Sequence, residues 1–332
     1  MVPAAVPARP HPSVADRSGS VHAVTSRLDL LLAGPSGEPV DLVRTLNSHG
    51  FAELAPLRLD EAAGTLAMTL RVPGARPRRV LVGPGRGRRA VVEILGPGRP
   101  GPRVQAAVLQ GVRHVLRMDH DLSAFYEDCR ADPDLAWAAT GAGRMLRSPT
   151  VFEDVVKTIC TTNCAWSATV RMVNALVREL GEPAAGGEGP LANAFPTPDR
   201  MAGAPESFYR ETVRAGYRGA YLRSLAASAA SGDLDLERLG AATREELPDE
   251  DLEATLLALP GVGPYAAAHI MMTVGRHSRL ILDSWTRPKY ARLLGRRSAV
   301  PDATIRRRFR RFGPEAGLAF WLFVTRDWVD ET

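Results

Sequence analysis

Between residues 28 and 104 the apolar positions fall in short runs that alternate with polar ones. The run TLAMTLRV at 65–72 puts every second side chain on one face, the period of a half-buried strand. The runs RVLV at 79–82 and AVVEIL at 90–95 are rich in β-branched residues and end at glycine and proline, so they also predict strands. Residues 40–49 carry helical spacing. The cluster PGRPGP at 97–102 breaks the pattern. Beyond it the period lengthens to that of a helix almost everywhere: 104–116, 122–129, 152–180, 205–215, 218–231, 249–259, 264–274, 284–294, 301–312 and 317–329 each carry an apolar stripe. The expected fold class is α+β, a small antiparallel-sheet domain at 25–103 followed by a mostly α-helical core at 104–332.

Residues 1–24 have no apolar core segment. They are expected to be a disordered tail rather than a secretory leader. The 332 residues exceed what one small core organises, which fits a division into two or more units. No run of 18 uncharged apolar residues occurs, so no membrane span is expected. Three cysteines, Cys129, Cys160 and Cys164, are too few and too odd for a disulfide framework and suit the reducing cytoplasm. A net charge of +5 suits a polyanionic partner, but the basic residues are nearly all arginine in a chain rich in Ala, Gly and Pro, so charge alone assigns none. The chain holds only two lysines, Lys157 and Lys289, and any chemistry needing a lysine amine is confined to them.

The sharpest local feature is Leu259-Pro260-Gly261-Val262-Gly263-Pro264-Tyr265, between two helical segments in 250–274. The glycines permit a tight turn and Pro264 suits the first position of the second helix. Gly263 then presents its amide at a helix N-terminus, where a phosphate can bind without a side chain and without regard to base sequence. The same pattern also serves as a plain connection between packed helices. Downstream, the apolar run Leu280-Ile281-Leu282 leads directly into Asp283. An aspartate there can cap the next helix. Facing a cleft, it can instead stabilise an oxocarbenium-like sugar and orient an attacking water.

The hairpin, with Asp283 placed 18 residues beyond Tyr265, resembles the helix–hairpin–helix/Gly-Pro-Asp DNA glycosylase superfamily. Ile159-Cys160-Thr161-Thr162-Asn163-Cys164 is similar to the 8-oxoguanine glycosylase branch. The segment 301–328 and the N-terminal sheet resemble the alkylpurine branch, and 195–198 and 216–219 match connectors of the family. The resemblance implies a two-lobed helical glycosylase core with the cleft between the lobes and double-stranded DNA carrying a damaged base as partner. The target nucleotide would be flipped out of the duplex, as base-excision repair requires. It implies Asp283 as the catalytic carboxylate and Asn163, Gly261, Val262, Gly263 and Arg287 as DNA contacts. A Na+ or K+ ion would be held by the main-chain carbonyls of Leu257, Leu259 and Val262. Tyr265, His269, Trp166, Trp285 and Trp321 are the candidates for the base pocket, where aromatic faces suit a cationic base.

Two departures narrow the expectation. Bifunctional members carry a lysine where this chain has Tyr265, and a phenol forms no Schiff base, so a monofunctional enzyme leaving an abasic site is expected. No cysteine follows Cys164, so no iron–sulfur cluster is expected, nor any other cofactor for catalysis. The excised purine, alkylated or oxidised, stays open. So do two alternatives, a non-catalytic DNA-binding hairpin protein and a bifunctional glycosylase/lyase. The chain is expected to be a cytoplasmic, nucleoid-associated monomer.

Overall fold

The computed structural model describes residues 24–185 and 189–329. The tail expected at 1–24 lies outside them except for Val24, which belongs instead to a strand and pairs with Leu95. Five strands, β1 (Val24–Leu31), β2 (Leu57–Asp60), β3 (Thr65–Val72), β4 (Ala75–Pro84) and β5 (Arg89–Leu95), form an antiparallel sheet in the order β1-β5-β4-β3-β2. The three strands expected from the sequence are the three inner ones.

The helix expected at 40–49 is only α1 (Leu42–Leu46). Asp41 caps its start by accepting from the Arg44 amide, and Asn47 leaves helical geometry at its end. Helix α2 (Pro102–Val115) turns Val108, Val112 and Val115 onto the sheet, where they close a core with Leu66, Met68, Val80, Val92 and Ile94.

The helical part contains α3 (Ser123–Arg130), α4 (Val151–Thr161), α5 (Trp166–Leu180), α6 (Pro198–Ala202), α7 (Arg218–Ser231), α8 (Leu236–Ala241), α9 (Asp249–Leu257), α10 (Pro264–Thr273), α11 (Thr286–Leu293), α12 (Asp302–Phe309) and α13 (Ala316–Thr325). Two expected helices differ. The single helix expected at 152–180 breaks after α4, because Thr162 and Cys164 turn their side chains onto the Ile159 and Cys160 carbonyls and Asn163 takes the left-handed conformation (φ 46°). The stretch 205–215 forms one π turn at Phe208–Thr212 and ends at Arg214, which is also left-handed.

Every residue of α10 from Ala266 to Thr273 is buried. Ala266, Ala267, Ile270 and Met271 join a core with α4, α5, α7 and α9. Ala268 and Met272 join a second core built on α3, α11, α12 and α13. These cores are two helical lobes sharing one helix.

A buried ion pair ties the N-terminal unit to the helical part. The Arg144 guanidinium, fully shielded from solvent, bonds Glu38 Oε1 at 2.5 Å and the carbonyls of Arg117 at 2.7 Å and His120 at 2.6 Å. Removing one partner strands a buried charge, which costs about 3–5 kcal/mol. Arg144→Met should therefore lose about that much stability in urea denaturation, and Glu38→Gln added to it should recover part of the loss. An Arg144→Met chain within about 1 kcal/mol of wild type would show the pair to be dispensable.

Candidate active site

The hairpin follows from the turn chemistry. Helix α9 ends at Leu257, the Leu259 carbonyl accepts from the Val262 amide at 3.1 Å, and Gly261 takes φ +82°. Any side chain at Gly261 would also strike the Tyr221 ring, since a Cβ there would lie 2.7 Å from it. Gly263 starts α10 without a side-chain cap, is exposed, and has open space where a Cβ would stand. The first amides of α10 are therefore open to an anion.

One turn of α10 carries Tyr265 and His269 on the same face, their rings stacked with centroids 6.0 Å apart. They form one wall of a cleft at the seam between the two lobes. Its lining includes Thr161, Trp166, Ile281, Asp283, Trp321 and Trp328, together with His49, Gly50 and Phe51 from the N-terminal unit. The space out to the mouth is about 580 Å³, a slot lined largely by aromatic rings. A slot between aromatic faces suits a planar ring.

Asp283 stands at this slot where the chain leaves the core and begins α11. Its Oδ1 accepts from the amides of Trp285 (2.9 Å) and Thr286 (2.7 Å), while its own amide donates to Thr286 Oγ1 (2.9 Å). The capping role open from the sequence is real, and it holds the carboxyl in one orientation. Oδ2 takes no part in those bonds. Tyr265 responds to its surroundings: burial and the nearby Asp283 charge push its phenol up to about 12, against a hydrogen bond with Thr161, so it stays protonated.

The structure brings Tyr265, His269, Trp166, Trp321 and Asp283 together in one lining. Trp285 stands behind it, its ring 6.0 Å from Trp321 and 5.4 Å from Trp328. Asn163 lies outside the slot on the exposed break after α4, donating to the Tyr217 hydroxyl at 3.3 Å. Arg287 is held in a bidentate pair with Asp302 at 2.8 and 2.9 Å. Neither lysine lines the slot. Lys157 is fully buried on Glu153 at 2.6 Å, and Lys289 pairs with Asp327.

Sequence reasoning missed His49, Gly50, Phe51, Thr161, Trp328 and Tyr217. The first three come from the far side of the sheet unit, which no local period reports. A usable sign was the glycine between two ring-bearing residues: a Cβ at Gly50 would lie 2.8 Å from the Trp166 ring. Tyr217 is 54% exposed, has the Arg218 guanidinium 4.6 Å from its ring, and shares the surface with Asn163.

No protein-family model matches this sequence, and no curated protein sequence does. Solved structures do share its fold. The 3-methyladenine DNA-glycosylase from Archaeoglobus fulgidus has a TM-score of 0.66 at 20% identity, covering 91% of this chain and 99% of that one. MBOgg1 in complex with a low-affinity DNA ligand has a TM-score of 0.66 at 19% identity, covering 91% and 96%. The Clostridium acetobutylicum 8-oxoguanine glycosylase/lyase, in complex with double-stranded DNA containing cytosine opposite to 8-oxoG, has a TM-score of 0.63 at 21% identity, covering 87% and 92%. The α+β architecture expected from the sequence is thus the fold of these DNA glycosylases.

The slot makes an acid liability. Burial is the main cause that lowers His49 from 6.5 to about 4 and His269 from 6.5 to about 3. The folded chain keeps both rings neutral, whereas the unfolded chain protonates them below about pH 6.5. Their contribution is complete above that pH and is lost on acidification toward pH 4, by up to about 1.4 kcal/mol per pH unit for each ring. Asp154, raised to about 7 by burial, and Glu153, also raised by burial, take up protons in the folded chain and offset part of the loss, while His114 and His120, lowered by burial to about 4 and about 3, add to it. Thermal melts should show the melting temperature falling from pH 7 to pH 5, with a shallower fall in His269→Gln. Parallel curves for the two chains would remove His269 from this account.

Proposed function

We propose that this protein is a monofunctional DNA glycosylase. It flips a damaged purine into the slot and hydrolyses its N-glycosidic bond, leaving an abasic site. The observation that carries the reading is a carboxylate with a fixed orientation, Asp283, at the edge of an aromatic slot with no lysine in its lining. A base stacked among Tyr265, Trp166 and Trp321 would put its sugar at the mouth. As the base leaves, positive charge grows on the sugar, and a carboxylate held in place stabilises it and aligns the water that attacks. The phenol of Tyr265 forms no Schiff base. Aromatic faces attract a cationic ring, which favours an alkylated purine over an oxidised one.

The partner in this reading is duplex DNA bearing the lesion, and the site of action is the cytoplasmic nucleoid. Among the described residues no helix is long and apolar enough to cross a membrane. The first amides of α10 would bind a phosphate, with Asn163 and Tyr217 entering the gap left by the extruded base. The hairpin also suits a monovalent cation. Leu257 closes α9, so its carbonyl has no later helical amide to accept from, and with the Leu259 and Val262 carbonyls it would make an oxygen-only donor set. Such an ion would supply positive charge between hairpin and phosphate. Catalysis in this reading uses neither an iron–sulfur cluster nor another cofactor.

Asp283→Asn keeps the shape of the cap and removes the charge. It should release base at least about 100-fold more slowly than wild type from duplexes carrying single alkylated purines, with DNA affinity little changed. Equal release by both chains would overturn the mechanism, and binding without release of any lesion by wild type would favour a non-catalytic hairpin protein. Borohydride added during turnover should trap no covalent protein–DNA adduct; a stable adduct would establish lyase chemistry.

A further inference from the structure

A second cluster of chemistry-bearing side chains lies apart from the slot. His120 comes from the connection between α2 and α3, His277 from the segment between α10 and Asp283, and Glu315 from the turn before α13. A ligand atom from each lies within 4.8 Å of the other two, and among the described residues no other three His, Cys, Asp or Glu side chains are so placed. The imidazoles stack with centroids 5.3 Å apart and planes 17° apart. His277 Nδ1 bonds Glu315 Oε2 at 2.5 Å, while its Nε2 is buried with no hydrogen-bond partner among the described residues. The Nδ1–Oε2 contact already joins two of the donors, and an ion would take the place of the proton between them.

We propose that His120, His277 and Glu315 form a site for a zinc-class divalent ion, with a water as its remaining ligand. Two imidazoles and a carboxylate are the donor set such ions prefer, whereas calcium and magnesium take oxygen ligands. Arg117, Arg144 and Arg244 all act on the cluster, and Arg244 bonds Glu315 Oε1 at 3.3 Å. That positive field opposes any divalent ion, so binding rests on the bonds to the two imidazoles and the carboxylate. The donors are held from outside: the His120 carbonyl accepts from Arg144 at 2.6 Å, and the His277 carbonyl accepts from the Gly317 amide at 2.6 Å. An ion here would clamp together the segment that leads to Asp283, the start of α13 and the connection between α2 and α3. The site does not depend on the proposed reaction.

The test uses the full tag-free chain, stripped with chelator. Calorimetric titration with Zn2+ should find one ion per chain and raise the melting temperature. Titration with Co2+ should give visible d–d absorption without a thiolate charge-transfer band, which separates this site from the cysteines. His120→Ala, at the half-buried edge of the cluster, and Glu315→Gln should each weaken binding by about 100-fold and abolish the thermal shift. His277 is packed in the interior, so its substitution is not the test. Wild type binding zinc no more tightly than His120→Ala would overturn the proposal, as would a thiolate band with Co2+.

Discussion

From Ala266 to Thr273 helix α10 has no face to offer to water, and the rest of the molecule is arranged around that constraint. Its alanines let α4 and α9 approach on one side, and Ala268 and Met272 take the second lobe on the other. A helix buried all round cannot tilt or slide without opening a cavity in one core or the other. Both of its ends are therefore fixed together. The N-terminal end carries the hairpin amides and Tyr265. The C-terminal end feeds the segment that passes through His277 to Asp283. The surface suited to a phosphate and the slot suited to a base stand in a fixed relation because one rigid element sets both.

How far the sequence told this in advance follows from where each residue is buried. The inner strands β3, β4 and β5 were legible because neighbours on both edges demand a strong apolar pattern. The strands that were missed, β1 and β2, are the two edges of the sheet, where VTSRLDLL and LRLD keep charged and polar residues that discourage pairing with other chains. The break after α4 was invisible to periodicity because it depends on side chains bonding back to the helix and on one left-handed asparagine. In the slot, the half that comes from α10 and the Asp283 segment was readable from local motif spacing. The half supplied by His49, Gly50 and Phe51 was not, since only the tertiary packing of the sheet unit carries them there.

Buried charge in this chain is consistently spent on structure. Arg144 with Glu38, Lys157 with Glu153 and Arg276 with Asp249 each join segments far apart or stiffen the core of a helix. The lysine that could have offered an amine to a substrate is thus committed elsewhere, and the slot is left with a carboxylate, neutral imidazoles and aromatic rings. In the proposed reaction, chemistry there falls to water and a carboxylate.

The crowding of indoles around the slot has an optical consequence. Of the five tryptophans, Trp166, Trp321 and Trp328 line the cleft and Trp285 touches two of them, leaving only Trp137 elsewhere. The Trp285, Trp321 and Trp328 rings, with centroids 5.4–6.0 Å apart, exchange excitation energy, so light absorbed by one is emitted by the three. The intrinsic ultraviolet emission of this protein is therefore largely a signal from one place, and a planar guest entering the cleft would dim it without any attached dye.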